Sequence, residues 1–276
     1  MRRPGRGPGA LTGTTLATAD PTETHRLFQH ERVAMGYASA RPYLHPEVFA
    51  RVREMVRPAG RFRRALDVGC GTGLSSFALL DLADRVVGID AALDMLRHAR
   101  RADGVRYVAS GAEALPFRNG RFDLVVACGS MDWVDRPRFM PRAAELLEAG
   151  GWLVSLDFGD TGRSAEIPGL ARWYDEVFLR AYPRPSASDP MITAEEALRH
   201  GFAGPVFRDF ASACPFTASQ YAAFLMTESS VIAAVEYGGK AEREVRASLD
   251  GELAPLFGPE PRRVAFGGYI QAMRRL

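Results

Sequence analysis

The sequence contains little cysteine and almost no lysine. Its three cysteines, Cys70, Cys128 and Cys214, are scattered through 276 residues and form no C-x-x-C pair. An odd number of isolated thiols argues against a disulfide framework and against a structural zinc site. Lys240 is the single lysine, and the arginines that supply the remaining positive charge are not gathered into a stripe. We therefore expect a protein of a reducing, cytoplasmic compartment.

The sequence also lacks a long apolar run and an excess of charge of either sign. No apolar stretch approaches the ~18 residues that a membrane span requires. Lys and Arg total 35 against 33 Asp and Glu, and the net charge of +2 gives no general attraction to nucleic acid or anionic lipid. Residues 1–20 are rich in Gly, Thr, Arg and Pro without an apolar core, which predicts a disordered tail rather than a secretory signal. We expect neither a membrane nor a nucleic-acid partner.

Short apolar runs alternate with amphipathic stretches from Arg63 to Asp160. This alternation predicts βαβ units, and hence a Rossmann-like, doubly wound α/β fold with helices on both faces of a mostly parallel sheet. Apolar runs such as Leu124-Val125-Val126 fit strands that are buried on both faces. After Asp160 the pattern is mainly helical, which predicts an α-helical cap and two late strands that complete a seven-stranded sheet. The predicted strands are Ala65–Val68, Val86–Ile89, Val105–Ala109, Leu124–Ala127, Trp152–Asp157, Phe207–Ala211 and Val264–Met273.

These patterns divide the chain into four segments. Residues 1–20 form the tail, and residues 21–62 form a helical lid that ends near Pro58-Ala59-Gly60. Residues 63–160 form the Rossmann-like core. Residues 161–276 supply the cap, including a helix over Leu170–Tyr182, and the last strands of the sheet.

A glycine-rich loop, Gly69-Cys70-Gly71-Thr72-Gly73, follows the first predicted strand. In a doubly wound sheet ligands bind outside the carboxyl ends of the strands, and glycine there lets a ligand approach the backbone closely. Asp90 ends the second strand, where a carboxylate can accept two hydrogen bonds from a ribose diol. A dinucleotide fingerprint needs G-x-G-x-x-G, but the third position is Leu74 or Ser76. The spacing therefore disfavours a nicotinamide oxidoreductase.

The loop, preceded by Asp67, resembles the first motif of class I S-adenosylmethionine-dependent methyltransferases. Residues 111–117 (GAEALPF) and 122–125 (FDLV) resemble further segments of one subgroup of small-molecule methyltransferases, and the resemblance extends from about Arg63 to Asp157. It implies that the cofactor is S-adenosyl-L-methionine and that Asp67 helps to bind its ammonium group, directly or through water. The implied cofactor-binding residues are Asp67, Gly69, Cys70, Gly71, Thr72, Gly73, Asp90, Ala91, Met95, Gly111, Ala112, Glu113 and Cys128.

One position departs from this family pattern. Many relatives have an aspartate where this chain has Gly111, and that aspartate can contact the adenine amino group. The backbone N–H of Ala112 and the side chain of Glu113 are left as the candidate adenine partners.

The segment from Tyr37 to Pro46 resembles the Y-x-x-x-R-P-x-Y-P lid of many small-molecule methyltransferases. The resemblance implies that Tyr37 and Arg41 lie near the amino-acid end of the cofactor, where an arginine can bind a carboxylate with two parallel hydrogen bonds. The alternative is a solvent-exposed arginine before a helix break. One additional residue before Pro46 leaves the register of His45 open.

The acceptor side is less specific. Asp132 follows the fourth strand and is the candidate catalytic residue, to orient an acceptor or take its proton; a helix cap is the alternative. Trp133, Trp173 and Tyr221 are candidate acceptor contacts, with packing in the core as the alternative for each. Asp132, Asp157 and Asp160 are the only candidate oxygen ligands for a metal near this edge, and no metal is predicted.

The leading hypothesis is transfer of a methyl group to a small-molecule acceptor by in-line displacement, by a monomer or a homodimer. DNA and RNA amino-methyltransferases often have an N/D-P-P-Y/F tetrapeptide after the fourth strand. This chain has none there, which counts against a nucleic-acid acceptor. The alternative is a homologue that binds S-adenosylmethionine or S-adenosylhomocysteine without methylating, as a sensor or a scaffold for other chemistry. The residues leave open which acceptor atom is methylated.

Overall fold

The computed structural model describes residues 27–185 and 188–276. The predicted tail over residues 1–20 and the first six residues of the predicted lid lie outside this range. Seven strands form one sheet. They are β1 (Ala65–Val68), β2 (Val86–Asp90), β3 (Val105–Ala109), β4 (Phe122–Cys128), β5 (Leu147–Arg163), β6 (Val206–Phe216) and β7 (Arg262–Arg274).

The strand order in the sheet is β3-β2-β1-β4-β5-β7-β6. The pairs among β1 to β5 are parallel, whereas β7 is antiparallel to both β5 and β6. The order reverses between β1 and β4, which makes the carboxyl ends of these two strands the switch point at which ligands bind in such sheets. The predicted Rossmann-like, mostly parallel seven-stranded sheet is confirmed.

The helices pack on both faces of the sheet and beyond its carboxyl edge. Short irregular turns adjoin three of the helices. A 3₁₀ turn at Met131–Trp133 precedes α5, and a π-helical turn at Tyr174–Phe178 joins α6 to α7. The helices are α1 (Glu31–Ala40), α2 (His45–Val56), α3 (Leu74–Leu79), α4 (Leu93–Arg97), α5 (Arg136–Leu146), α6 (Leu170–Trp173), α7 (Leu179–Ala181), α8 (Ala194–Arg199), α9 (Ala218–Leu225), α10 (Ser229–Glu236) and α11 (Glu242–Phe257).

The central strands are buried on both faces, as their apolar runs predict. Every residue of β1 is buried, and Leu124–Ala127 of β4 are fully inaccessible. Phe139 and Phe202 pack on one face of the sheet, and Phe49 and Leu79 pack on the other. Burial of this many apolar side chains is the main source of stability for such a sheet.

The antiparallel strands are longer than their predicted bounds. β5 continues past Asp157 because Asp157–Asp160 pair with Phe266–Tyr269 of β7, beyond the end of β4 at Cys128. The helix predicted over Leu170–Tyr182 is divided by the π-helical turn. Neither difference can be predicted from the local pattern of apolar residues, because each depends on which part of the chain packs against β5 or against the helix.

The helices that follow β5 form a cluster of their own, which we call the cap cluster. It contains buried side chains from α6, α9 and α11 together with Phe266 of β7, and its largest members are aromatic. Tyr221 and Phe224 of α9 contact Phe216, and Tyr221 also contacts Phe257. No helix among the described residues has the length and apolar character needed to cross a bilayer.

Gly251 in the exposed middle of α11 offers a test of this local structure. A Cβ added there meets no atom within 4 Å, and the residue is helical and exposed. Because glycine has more conformational freedom to lose on folding than alanine, Gly251→Ala should raise the free energy of unfolding by roughly 0.5–1 kcal/mol. Urea unfolding measures the change. Ala247→Gly, on the same exposed helix, is the matched reverse control and should lower it by a similar amount; the same sign of change in both variants would contradict the helix.

Candidate functional site

A cavity of about 540 Å³ opens at the carboxyl ends of the strands. The loops after β1, β2, β3 and β4 line it, together with β5 itself, α1 and the cap cluster. This is the place that the reversal of strand order between β1 and β4 indicates. The residues predicted as cofactor-binding that line it are Gly69, Cys70, Gly71, Thr72, Asp90, Ala91, Met95, Gly111, Ala112, Glu113, Cys128, Tyr37 and Arg41.

The three glycines of the loop have different roles. All three have positive φ, at 70° for Gly69, 53° for Gly71 and 77° for Gly73. A Cβ on Gly69 would lie 2.5 Å from the Cβ of Ser130, and one on Gly73 would lie 2.2 Å from the Oη of Tyr107, so packing excludes side chains at both positions. A Cβ on Gly71 would meet nothing within 4 Å. Gly71 therefore provides the open backbone surface, whereas Gly73 lies outside the cavity lining and lets the loop pack.

Asp67 lies beneath the loop and is fully buried. Its Oδ2 accepts hydrogen bonds from Ser75 Oγ at 2.7 Å and Ser76 Oγ at 2.6 Å, while its buried Oδ1 has no partner in the described part of the chain. Burial raises the pKa of Asp67 to about 6, although the two serine hydrogen bonds oppose the shift. Asp67 does not line the cavity, so its expected contact with a ligand's positive group is indirect.

Asp90 ties the end of β2 to the glycine loop. Its Oδ2 accepts from the backbone N–H of Gly71 at 2.8 Å, and its Oδ1 accepts from that of Ala92 at 2.8 Å. Burial raises the pKa of Asp90, and these backbone hydrogen bonds counteract the rise. Asp90 lines the cavity and each carboxylate oxygen has a further lone pair. One side chain therefore positions the loop and presents acceptors to a ligand.

The segment after β3 forms the next part of the wall. Glu113 Oε1 accepts a hydrogen bond from the backbone N–H of Asp135 at 2.9 Å. Glu113 Oε2 lies 3.3 Å from where a Cβ on Gly111 would be, so a side chain at that position would crowd this carboxylate. Gly111 thus leaves room for Glu113, which is anchored to the turn before α5.

Tyr37 and Arg41 project from α1 and its C-terminal end into the same cavity. Arg41 Nη2 donates to Tyr37 Oη at 2.9 Å and to the backbone oxygen of Thr227 at 2.6 Å, and it lies 3.2 Å from Glu228 Oε1. The Arg41 side chain is only 21% exposed, so the alternative of a solvent-exposed arginine is wrong. Its Nε is buried without a partner among the described residues. The guanidinium group therefore joins the C-terminal end of α1 to Thr227 and Glu228, which follow α9.

Besides Asp90 and Glu113, four further carboxyl groups line the cavity: Asp132, Asp157, Asp160 and Glu228. Burial, and then the neighbouring Asp132, raise the pKa of Asp157 to about 7, although its Oδ1 accepts the backbone N–H of Phe158 at 2.8 Å. Burial alone raises the pKa of Asp132 to about 6. The cap of α5 is Asp135, which accepts from the N–H of Arg138. Asp135, and not Asp132, is therefore the residue that caps this helix.

The three candidate acceptor contacts occupy different places. Trp133 lines the cavity and packs edge-on against Phe28. Trp173 is 8% exposed, lies outside the lining and donates from Nε1 to Glu252 Oε2 at 2.7 Å. Tyr221 is fully buried, lies outside the lining and donates to Asp160. The prediction of direct acceptor contact is corrected for Trp173 and Tyr221, because their polar atoms are directed to carboxylates of the cap and of β5.

The sequence analysis missed the lining residues Phe158, Arg184 and Glu228, left the register of His45 open, and considered Asp157 and Asp160 only as metal ligands. Among the described residues no group of three or more His, Cys, Asp or Glu side chains is arranged to hold a metal ion. Strand register gives a signal for Asp157: Cys128 at the end of β4 pairs with Leu156, so Asp157 is the first residue beyond that edge. Phe158 and Asp160 lie in the extension of β5, and Arg184 and Glu228 lie in the segments after it, where no motif marks them.

Part of the chain is similar to known methyltransferases. Residues 66–155 match the family described as "Methyltransferase domain". A malonyl-[acyl-carrier protein] O-methyltransferase of Enterobacter lignolyticus is 36% identical over 111 residues, 38% of this chain and 44% of that protein. A demethylmenaquinone methyltransferase of Corynebacterium urealyticum is 32% identical over 121 residues, 44% of this chain and 50% of that protein. The chain spans about half the length of these relatives.

The fold is similar to that of a solved structure described as a type II methyltransferase from Anaeromyxobacter dehalogenans. The TM-score is 0.61 at 23% sequence identity, over 83% of this chain and 95% of that one. At this identity the likeness concerns the fold. It agrees with the observed order of the seven strands.

Proposed function

We propose that this chain, which carries a class I S-adenosylmethionine-dependent methyltransferase domain, transfers a methyl group from that cofactor to a small-molecule acceptor by in-line displacement. The observation that carries the proposal is a single cavity of about 540 Å³ in which the motif residues and the cap face each other. Gly71 and Asp90 line the motif side, and Asp157 and Glu228 line the other. A donor and an acceptor held in the same cavity can be aligned with each other and partly shielded from water.

The residues present fit the cofactor. Gly71 leaves an open backbone surface, Asp90 presents carboxylate oxygens for a ribose diol, and Asp67 has a buried oxygen without a partner. An unpartnered buried carboxylate oxygen is costly unless a hydrogen-bond donor balances it, and because Asp67 does not line the cavity, a water molecule between it and the ligand would supply that donor. When bound, the cofactor supplies a methyl group on a sulfonium ion, which is already strongly electrophilic.

The lid positions charge for the amino-acid end of the cofactor. Arg41 already bonds Tyr37, Thr227 and Glu228, and its buried Nε has no partner among the described residues. A guanidinium group recognises carboxylates through its several N–H donors, so Arg41 is the residue we assign to the carboxylate of the cofactor. Its bonds to Thr227 and Glu228 also hold the C-terminal end of α1 at the edge of the cavity.

The acceptor side has an apolar wall of aromatic rings. Phe28, Trp133, Phe158 and Phe224 line it, and the lid and cap enclose it. Such walls bind the body of a small organic molecule, whereas a nucleic-acid substrate needs a basic surface that the near-neutral net charge does not provide. We assign residues 63–160 to the cofactor-binding core, residues 21–62 to the lid, and residues 161–276 to the cap and last strands of a cytoplasmic monomer or homodimer.

Calorimetry followed by product analysis tests this function. S-adenosylmethionine and S-adenosylhomocysteine should both bind, and NAD should give no heat, because the loop lacks the third glycine that a pyrophosphate requires. Incubation with S-adenosylmethionine and a panel of small amines, alcohols, thiols and acids should then yield a product heavier by one methylene, detected by mass spectrometry. Binding of NAD but of neither sulfur ligand would contradict the cofactor assignment. Binding of both sulfur ligands without any methylated product would favour a non-methylating sensor or scaffold.

Two variants separate the two ends of the cofactor site. Asp90→Ala should weaken S-adenosylhomocysteine and 5′-methylthioadenosine alike, by roughly 1–3 kcal/mol, because both ligands contain the ribose. Arg41→Gln should weaken S-adenosylhomocysteine by a similar amount and leave 5′-methylthioadenosine unchanged, because only the first has a carboxylate. Asp103→Ala removes an exposed carboxylate and is the control. Equal losses for both ligands in Arg41→Gln would remove Arg41 from the amino-acid end.

A further inference from the structure

His45 brings an imidazole ring without a hydrogen-bond partner to the cavity. It is the first residue of α2, and its side chain lines the cavity. Neither ring nitrogen forms a hydrogen bond within the described residues, and Nδ1 is buried. Nε2 is therefore the ring nitrogen that can reach a ligand. Enclosed polar groups are nearly always satisfied, so an imidazole without a partner at a cavity wall indicates contact with a bound molecule.

Aromatic packing fixes the position of this ring. His45 lies edge-on to Phe158 of β5, with the ring centroids 5.1 Å apart. Tyr43 contacts both His45 and Phe77, with centroid distances of 5.8 Å and 6.2 Å. Phe77 belongs to α3, which begins directly after the glycine loop. These contacts hold the start of α2 near the loop that binds the amino-acid half of the cofactor in the family.

The electrostatic surroundings of His45 favour an anionic ligand group. Arg41 is the one charged side chain in the described chain whose charge alters the pKa of the ring. Burial and this positive charge lower the pKa of His45 to about 4, so the ring is neutral at neutral pH and carries one N–H. Arg41 would repel a cationic ligand group here, whereas it would attract an anionic group that can accept the N–H of His45.

Arg41 cannot bind a carboxylate with two parallel bonds by itself. Both two-bond arrangements of a guanidinium group use Nη2, together with either Nε or Nη1. Here Nη2 is engaged by Tyr37, Thr227 and Glu228, and Nη1 has no hydrogen bond or ion pair in the part of the chain that the structure describes. Arg41 is thus left with Nη1 for one carboxylate oxygen, and the other oxygen needs a second donor. His45 lies across the turn between α1 and α2 and lines the same cavity.

We propose that His45 is a cofactor-binding residue whose N–H donates to one carboxylate oxygen of S-adenosylmethionine, while Arg41 donates to the other. The proposal rests on the function proposed above and assigns a second residue to the amino-acid end of the cofactor. It also gives the unpartnered imidazole a partner. The two donors come from either side of one turn, so the lid recognises the carboxylate as a unit.

Three adenosine ligands test the proposal. S-adenosylhomocysteine has a carboxylate and an ammonium group, 5′-S-(3-aminopropyl)-5′-thioadenosine has only the ammonium group, and 5′-methylthioadenosine has neither. His45→Phe keeps a ring that can pack against Phe158 and removes the N–H. Calorimetry at neutral pH should show S-adenosylhomocysteine weakened about tenfold or more, as expected for a lost hydrogen bond to a charged group, and the other two ligands unchanged.

Two further variants control for packing and for the kind of side chain. His45→Gln places an amide N–H near the position of Nε2, so it should retain most of the affinity for S-adenosylhomocysteine. His200→Phe makes the same replacement at a histidine outside the cavity lining and should leave the affinity for all three ligands unchanged. Binding of 5′-methylthioadenosine by each variant also shows that the adenosine part of the site is folded.

The pattern across ligands decides the outcome. Unchanged binding of S-adenosylhomocysteine by His45→Phe would overturn the proposal. Equal losses for S-adenosylhomocysteine and the aminopropyl ligand would also overturn it, because the carboxylate would then not be the group that His45 contacts. So would a loss in His45→Gln as large as that in His45→Phe, since the N–H would not be what matters. Failure of the unmodified protein to bind S-adenosylhomocysteine would instead contradict the proposed function.

Discussion

The pair of hydrogen bonds from Gly71 and Ala92 to the Asp90 carboxylate fixes the geometry on which the site depends. They hold the glycine loop against the end of β2, so the open backbone at Gly71 faces the cavity. Close packing also fixes the position of the loop, because Gly69 lies against Ser130 and leaves no room for the loop to move toward β4. A loop fixed in this way presents its backbone to a ligand at no further cost in ordering.

A second constraint on the site comes from its buried charged groups, some of which form ion pairs and some of which do not. Arg41 joins the lid to the cap by bonding both Thr227 and Glu228, and it carries positive charge into the chamber. Asp132 and Asp157 form no ion pair within the described residues, and burial raises the pKa of both carboxyls, although the charge of Arg41 opposes the rise at Asp157. Positive charge therefore enters the chamber from Arg41, where a cofactor carboxylate is expected, and from Arg184, which acts on Asp160.

Much of the fold follows from local pattern, because parallel strands buried on both faces are apolar throughout and glycine marks the turn after β1. The cofactor-loop residues are also predictable from local sequence, because they are close neighbours along the chain and their spacing alone determines how the loop is arranged. The pairing of Arg41 with Glu228 joins residues far apart in the sequence and leaves no local signal. Trp173 and Tyr221 were placed at the acceptor from their type alone, but their hydrogen bonds lie within the cap and to β5. Asp157 shows an intermediate case, since only the end of β4 reveals its position.

A crystal structure of the protein with S-adenosylhomocysteine would test the central claim most directly. The ligand should lie in the cavity at the carboxyl ends of β1, β2 and β4, with its ribose against Asp90, its backbone contacts at Gly71 and its carboxylate at Arg41. Its sulfur should face the Asp132 and Asp157 side of the chamber. A ligand bound elsewhere, or bound with its ribose away from Asp90, would contradict the account.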